Sequence, residues 1–326
     1  MAAVPAGENH AVAGSRSRGS VVRTAGSRGE RTGIMTNVHI LGSGTPTPTP
    51  DRFGSSYVVE TGGELVMFDC GPAATQKFAR AGLGILDLSA TFLTHHHYDH
   101  AVDLPCLLLV RWDQAVNDTP PMMVCGPQPT TAIVDELVGT NGVFRRDIRA
   151  RIEHPASQKT FEMRGGVLPR PWPDFRTRDL EPGDTVDGGA WSVSMARAAH
   201  VQPYLDSLAY RIETPDGSVV ITGDTAPCEE VVTLAKDADM MLCCCWDHQD
   251  GSEHIDECVA EGMVGTMCGP EEAARMAKEA GVGKLVLVHS TPSIAQSEPA
   301  ARAVRVAEGI FGGPVVFAHE GLRLSL

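Results

Sequence analysis

From residue 37 onward, short apolar runs recur along the chain, several alternating with polar positions and many ending at a glycine, aspartate or histidine. Runs of four to eight residues with this pattern predict β-strands. They fall at 37–42, 56–60, 64–69, 90–94 and 122–125 in the first half. In the second half they fall at 191–198, 208–213, 218–222, 240–244, 284–288 and 315–318. Between them, apolar positions spaced three and four apart predict helices at 73–81, 104–112, 130–138, 229–236, 271–280 and 300–308. The stretch 165–182, rich in Pro, Arg and Gly, predicts a loop. Two β-rich halves, each with helices to cover it, predict an α/β protein built as an αββα four-layer sandwich, one domain over residues 35–326. Residues 1–34 lack both periodicity and large apolar side chains and are expected to form a disordered leader, which makes Met35 a candidate start of translation.

Composition narrows the class. With 326 residues, 42% of them hydrophobic, the chain can bury a large core. No stretch approaches the roughly 20 apolar residues that span a bilayer, and the N-terminus has no apolar signal core. A cytoplasmic protein without membrane association is therefore expected. Nine cysteines, an odd number with three consecutive (Cys243, Cys244, Cys245), do not make a disulfide framework, and no CxxC pair points to a zinc finger. The formal charge is −14, and five of the arginines (Arg16, Arg18, Arg23, Arg28, Arg31) lie in the leader. Nucleic-acid binders present basic faces to phosphate, so the balance favours a small-molecule substrate and makes nucleic acid an unlikely partner.

The chemistry concentrates at Thr94-His95-His96-His97-Tyr98-Asp99-His100, just past a predicted strand. Histidines at i and i+2 on extended backbone point the same way and can share one metal ion. Asp99 and His100, a turn further, can reach a second ion a few Å away. More ligands must come from elsewhere, and His200, Asp224 and His289 each end a predicted strand. Singly, each reads as a satisfied core or capping residue; in this order after the first motif, they form a set. Nitrogen and oxygen donors of this kind suit two Zn2+ ions, with Mn2+ or Fe2+ as alternatives.

From Leu41-Gly-Ser-Gly-Thr-Pro46 and Phe68-Asp69-Cys-Gly71 through the His95–His100 motif, Gly223-Asp224-Thr225 and His289-Ser290, the chain resembles the metallo-β-lactamase superfamily, in the branch that includes ribonuclease Z. The resemblance implies that His95, His97 and His200 hold one metal ion, that Asp99, His100 and His289 hold a second, and that Asp224 bridges them. It further implies that Asp69 orients a ligand histidine, that Asp99 is catalytic, and that the protein is a homodimer. Two ions about 3.5–4 Å apart would lower the pKa of a shared water towards neutrality, giving a metallohydrolase with no covalent intermediate.

Two departures from the ribonuclease Z pattern stand out. The His-Glu-Ala-Thr stretch whose histidine donates a proton is replaced by a segment with Cys243 at the histidine position, and the long basic arm that grips tRNA has no counterpart in 165–182. His248, or else His254, is the candidate replacement donor. Trp246 is a candidate aromatic wall or an ordinary packing residue. The cysteine triplet is expected to fill a buried strand, a thiolate ligand there being the lesser reading. His96, His154 and His319 are given structural roles. These departures favour hydrolysis of a small ester-like substrate (an aryl ester, lactone, sulfate or phosphate ester, or activated aryl ether). The alternatives are a ribonuclease Z-like phosphodiesterase acting on RNA, and a non-catalytic subunit that retains the fold.

Overall fold

In the computed structural model, which describes residues 35–246 and 265–326, strand alternation decides the architecture. The first seven-stranded sheet contains β1 (Asn37–Gly42), β2 (Ser56–Thr61), β3 (Glu64–Phe68), β4 (Leu88–Phe92), β5 (Met123–Gly126), β6 (Arg176–Asp179) and, at its other edge, β14 (Arg323–Ser325). The second runs in the order β13 (Val315–Phe317), β12 (Leu285–Ser290), β11 (Met240–Cys245), β10 (Gly217–Ile221), β9 (Leu208–Thr214), β8 (Ser192–Arg197), β7 (Thr185–Asp187). Odd and even positions of the central strands go to different cores, as the two-residue period requires. In β2 and β3, Tyr57, Val59, Val66 and Phe68 face the opposing sheet, while Val58, Leu65 and Met67 face outward to helices. In β11 and β12, Met240, Leu242, Val286 and Val288 face the sheet, whereas Met241, Cys243, Leu285 and Leu287 meet helices.

Those outer layers are α1 (Ala74–Arg80), α3 (Leu104–Gln114) and α4 (Thr130–Val138) on one side. On the other lie α7 (Glu229–Leu234), α8 (Pro270–Ala280) and α9 (Ser297–Phe311). A single turn of helix, α2 (Tyr98–Ala101), follows β4. The four layers are thus the predicted αββα sandwich. Among the described residues no helix is long and apolar enough to cross a membrane.

Two parts differ from expectation. Two further helices, α5 (Arg145–Glu153) and α6 (Pro155–Met163), lie between β5 and β6. In α5 only Ile148 is buried, so apolar periodicity could not reveal it; ion pairs one turn apart, Arg151–Asp147 at 2.9 Å and Arg149–Glu153 at 3.6 Å, line its exposed face. The stretch predicted as a loop, 165–182, contains edge strand β6, whose Arg-Thr-Arg-Asp sequence has no apolar alternation. Parallel pairing with β5, from Met123 opposite Arg176 to Gly126 opposite Asp179, fixes it instead. The leader expected over 1–34, and His248 and His254, lie outside the described residues.

Candidate metal centre

Each of the seven metal-ligand candidates, and Asp69, lies at or shortly past the C-terminal end of a strand. Asp69 follows β3, the His95–His100 segment follows β4, His200 follows β8, Asp224 follows β10, and His289 is the penultimate residue of β12. Local backbone makes each turn. Asp69 and His289 adopt left-handed φ angles of 59° and 50°. His289 is skipped in the pairing of β12 with β11, where Cys244 lies opposite Val288 and Cys245 opposite Ser290, so this bulge turns its side chain towards the rim. At Gly223, φ is 59°, and a Cβ would also meet the Thr94 side chain. Asp99 is seated between two glycines: a side chain on Gly54 or on Gly71 would collide with the Asp99 carbonyl.

The seven metal-ligand candidates converge in two groups. The ligand atoms of His95, His97, His200 and Asp224 lie within 4.8 Å of one another, as do those of Asp99, His100 and His289. Asp224 faces both. Its Oδ2 is 4.0 Å from His95 Nε2, 3.8 Å from His200 Nε2 and 3.3 Å from His289 Nε2, and its Oδ1 is 3.4 Å from His100 Nε2. Asp99 Oδ2 lies 3.2 Å from His289 Nε2 and 3.5 Å from His100 Nε2.

Surrounding groups fix which nitrogen of each ring carries a proton. His200 Nδ1 donates to the Thr266 carbonyl at 2.9 Å, so its Nε2 presents a lone pair. His100 Nδ1 donates to Asp69 Oδ2 at 2.8 Å. The Thr94 hydroxyl also donates to Asp69 Oδ2, at 2.9 Å, and so accepts from His95 Nδ1 at 3.0 Å. The three Nε2 atoms are thereby aimed inward. Asp69, fully buried, thus holds the Thr94 hydroxyl and the His100 ring together.

In this arrangement three buried carboxylates depend on histidines alone for charge balance. Asp69, Asp99 and Asp224 are 0%, 1% and 4% exposed, and among the described residues their ion-pair partners are histidines alone. Uncompensated buried carboxylates cost several kcal/mol each. His100 Nε2 and Asp224 Oδ1 are moreover buried without a hydrogen-bond partner. Burial opposes charge on His100, yet Asp224 and Asp69 hold its pKa well above the ordinary histidine value. Burial pushes His95 well below that value, reinforced by His100, so its ring stays neutral and able to ligate. Asp224 stays ionised despite burial, because His289 and His100 hold its pKa well below the carboxylate range. Without an ion the buried carboxylates draw protons onto His100 and His289; a divalent cation held by these imidazoles and carboxylates would take the place of those protons.

Other residues fall outside this centre. His96 Nε2 is 2.9 Å from the Thr130 hydroxyl at the start of α4, His154 accepts the Ala156 N–H as the cap of α6, and His319 is exposed. Trp246 packs against the core between the second sheet and its helices, and Cys243, Cys244 and Cys245 fill buried β11, as expected. Thr94 and Gly54 are the site residues that the sequence reading missed. The signal for Thr94 was its place directly before His95, and that for Gly54 its place in Arg52-Phe-Gly-Ser-Ser56, which belongs to the family resemblance.

Comparison with known proteins adds the relationship. The metallo-beta-lactamase superfamily profile matches residues 49–118. The chain is 34% identical over 277 residues to a ribonuclease Z of Mycobacterium sp. (strain KMS), covering 84% of this chain and 90% of the relative. It is 32% identical over 298 residues to a ribonuclease Z of Mycobacterium marinum, covering 90% and 99%. Among solved structures, the metallo-beta-lactamase fold protein YhfI from Bacillus subtilis superposes with a TM-score of 0.65 at 19% identity, covering 90% of this chain and 100% of YhfI. The short form of human tRNase Z gives 0.57 at 22%, covering 89% and 98%.

These relatives overturn the expected partner, a small-molecule substrate with nucleic acid unlikely, since the proteins most of this chain aligns with are named for action on RNA. The charge argument failed because a net charge says nothing about local placement. Over residues 145–164, α5 and α6 and their ends carry six basic groups against three acidic ones, a balance of +3 in a chain of −14. Arg145, Arg146 and Arg149 are exposed there, on a helix with no apolar stripe for the sequence to show. Shared identity along nearly the whole length of such relatives, on this fold, places the chain in the metallo-β-lactamase superfamily, in its ribonuclease Z branch, as a metal-dependent hydrolase.

Proposed function

We propose that this chain hydrolyses phosphodiester bonds in RNA, as the name of its ribonuclease Z relatives describes, with two zinc ions in the centre and Mn2+ or Fe2+ as substitutes. His95, His97 and His200 would hold one ion, Asp99, His100 and His289 the other, and Asp224 both. The observation that carries this reading is the convergence of five histidines and two aspartates in two adjoining groups, within a chain aligned along most of the length of those relatives. When bound, the ions supply an acidified water and positive charge opposite the phosphate. The protein's own residues do the rest. Asp69 and Thr94 keep the rings in their metal-binding tautomers. Asp99 accepts a proton from the attacking water. Exposed Arg145, Arg146 and Arg149 attract the RNA backbone. Departure of a ribose alkoxide needs a proton. Cys243, fully buried in β11, cannot deliver it at the rim, so we assign that role to His248, five residues on.

The test is cleavage of an end-labelled tRNA transcript bearing a 3′ extension, by protein loaded with zinc or manganese. Cleavage abolished by a strong chelator and by Asp99→Ala is expected. Metal-loaded protein that leaves this RNA, and an unstructured RNA of equal length, intact would end the proposal.

A further inference from the structure

A second group of donors lies apart from the histidines. The sulfur atoms of Cys243, Cys244 and Cys268 are within 4.8 Å of one another, and all three residues are fully buried. Two come from the end of β11. The third directly precedes Gly269, the cap of α8, and its carbonyl accepts the Trp246 N–H at 2.8 Å, which ties that segment to the end of β11. The thioether of Met276, on α8, lies 3.7 Å from Cys268 Sγ and adds a fourth soft atom beside the group. Cysteines that merely fill a strand have no reason to gather their sulfurs with one from another element.

The chemistry of the donors selects the ligand. The group offers sulfur and no carboxylate or imidazole, which favours soft, thiophilic ions over magnesium, calcium or manganese. Its surroundings are apolar, with Ala273, Ala277 and Leu287 in the same core, so a neutral complex is favoured over a charged one. A divalent ion that displaces two protons from three thiols, leaving two thiolates and one thiol, is neutral. A monovalent ion would reach neutrality by displacing one proton and would then engage a single thiolate, whereas the divalent ion draws on two of the three sulfurs. The Cys244 sulfur lies 3.4 Å from the Thr225 N–H, a donor suited to a thiolate.

We propose that Cys243, Cys244 and Cys268 form a thiolate site for a thiophilic divalent ion of the zinc and cadmium class, separate from the histidine–aspartate centre. The two sites are mechanically joined. Cys244 touches the backbone of Thr225 through both its N–H and its carbonyl, at 3.4 and 3.3 Å, and Thr225 follows Asp224. An ion on the sulfurs would therefore stiffen the turn that carries the carboxylate shared by both halves of the hydrolase centre.

Cadmium-113 magnetic resonance on the full chain, loaded with three equivalents of the ion, tests this directly. Histidine–aspartate sites give resonances in the nitrogen and oxygen range, whereas a three-sulfur site is displaced far downfield and brings an ultraviolet sulfur-to-cadmium charge-transfer band. We expect a downfield resonance and its band in the native chain, both lost in Cys268→Ser and Cys268→Ala and both retained in Cys106→Ser, which changes an exposed cysteine elsewhere. A native chain with resonances in the nitrogen and oxygen range only would overturn the site, whatever the variants do. So would a downfield signal that persists undiminished in Cys268→Ala.

Discussion

Replacing Asp69 by Asn would change one atom and, by the geometry of the centre, move a proton to the wrong side of a ring. Asp69 accepts three hydrogen bonds: Thr94 N–H on Oδ1 at 2.7 Å, and the Thr94 hydroxyl and His100 Nδ1 on Oδ2 at 2.9 and 2.8 Å. An Asn oxygen can keep the backbone bond, which leaves its NH2 where Oδ2 stood. Two donors then face a donor. The hydroxyl can rotate and accept, but His100 can comply only by placing its proton on Nε2, the atom aimed at the metal. Asn tolerates the left-handed backbone at this position, where φ is 59°, so the turn itself should survive. Loss of such an orienting partner typically lowers metal affinity by about 10- to 100-fold. That corresponds to roughly 1.4–2.7 kcal/mol. Competition for zinc against a chromophoric chelator would measure it, with metal-free melting temperatures of both proteins as the control for folding. We expect the weaker of two binding steps to fall by this factor while the metal-free melting temperature changes little. Unchanged affinity for both ions would refute the tautomer argument, and a large drop in metal-free melting temperature would show that Asp69 acts on the fold instead.

Three further outcomes follow from the same coordinates. Gly71→Ala places a Cβ against the backbone of Asp99 and Ser55, so it should cost about 1–3 kcal/mol by overpacking and reduce bound metal, read by denaturant unfolding and elemental analysis. Stability should fall as pH rises from 9 towards 11. Burial pushes the Cys125 thiol up to about 11 from 9.0 and raises Cys70, Tyr57 and Tyr210 well above their usual values, so the unfolded chain loses these protons first. Each such group contributes fully below its unfolded pKa and up to about 1.4 kcal/mol less per pH unit above it; denaturation midpoints that stay flat from pH 8 to 10 would contradict this. His248→Ala should keep both metal ions and lower RNA cleavage by about 10²-fold or more, as loss of a general acid does; loss of an ion would make His248 a ligand.

The sequence by itself determined the layers and the donors. The continuous apolar runs of β2, β3, β11 and β12 are legible because each strand is buried on both faces, and the clustered residues from His95 to His100 are legible because metal chemistry needs its ligands close together in the chain or at strand ends. What it could not determine was anything held by distant partners. Helix α5 escaped because polar residues and short-range ion pairs leave no apolar stripe, and β6 because a single neighbouring strand dictates its conformation. The cationic segment 145–164 was hidden inside an acidic total, which led to the wrong partner. Thr94 as the relay between Asp69 and His95, Gly54 as the seat of Asp99, and Cys268 beside Cys243 and Cys244 emerge only when separate segments are folded together. Periodicity reports what a residue does for its own element; side chains that act across elements leave no period, so only the tertiary structure decides them.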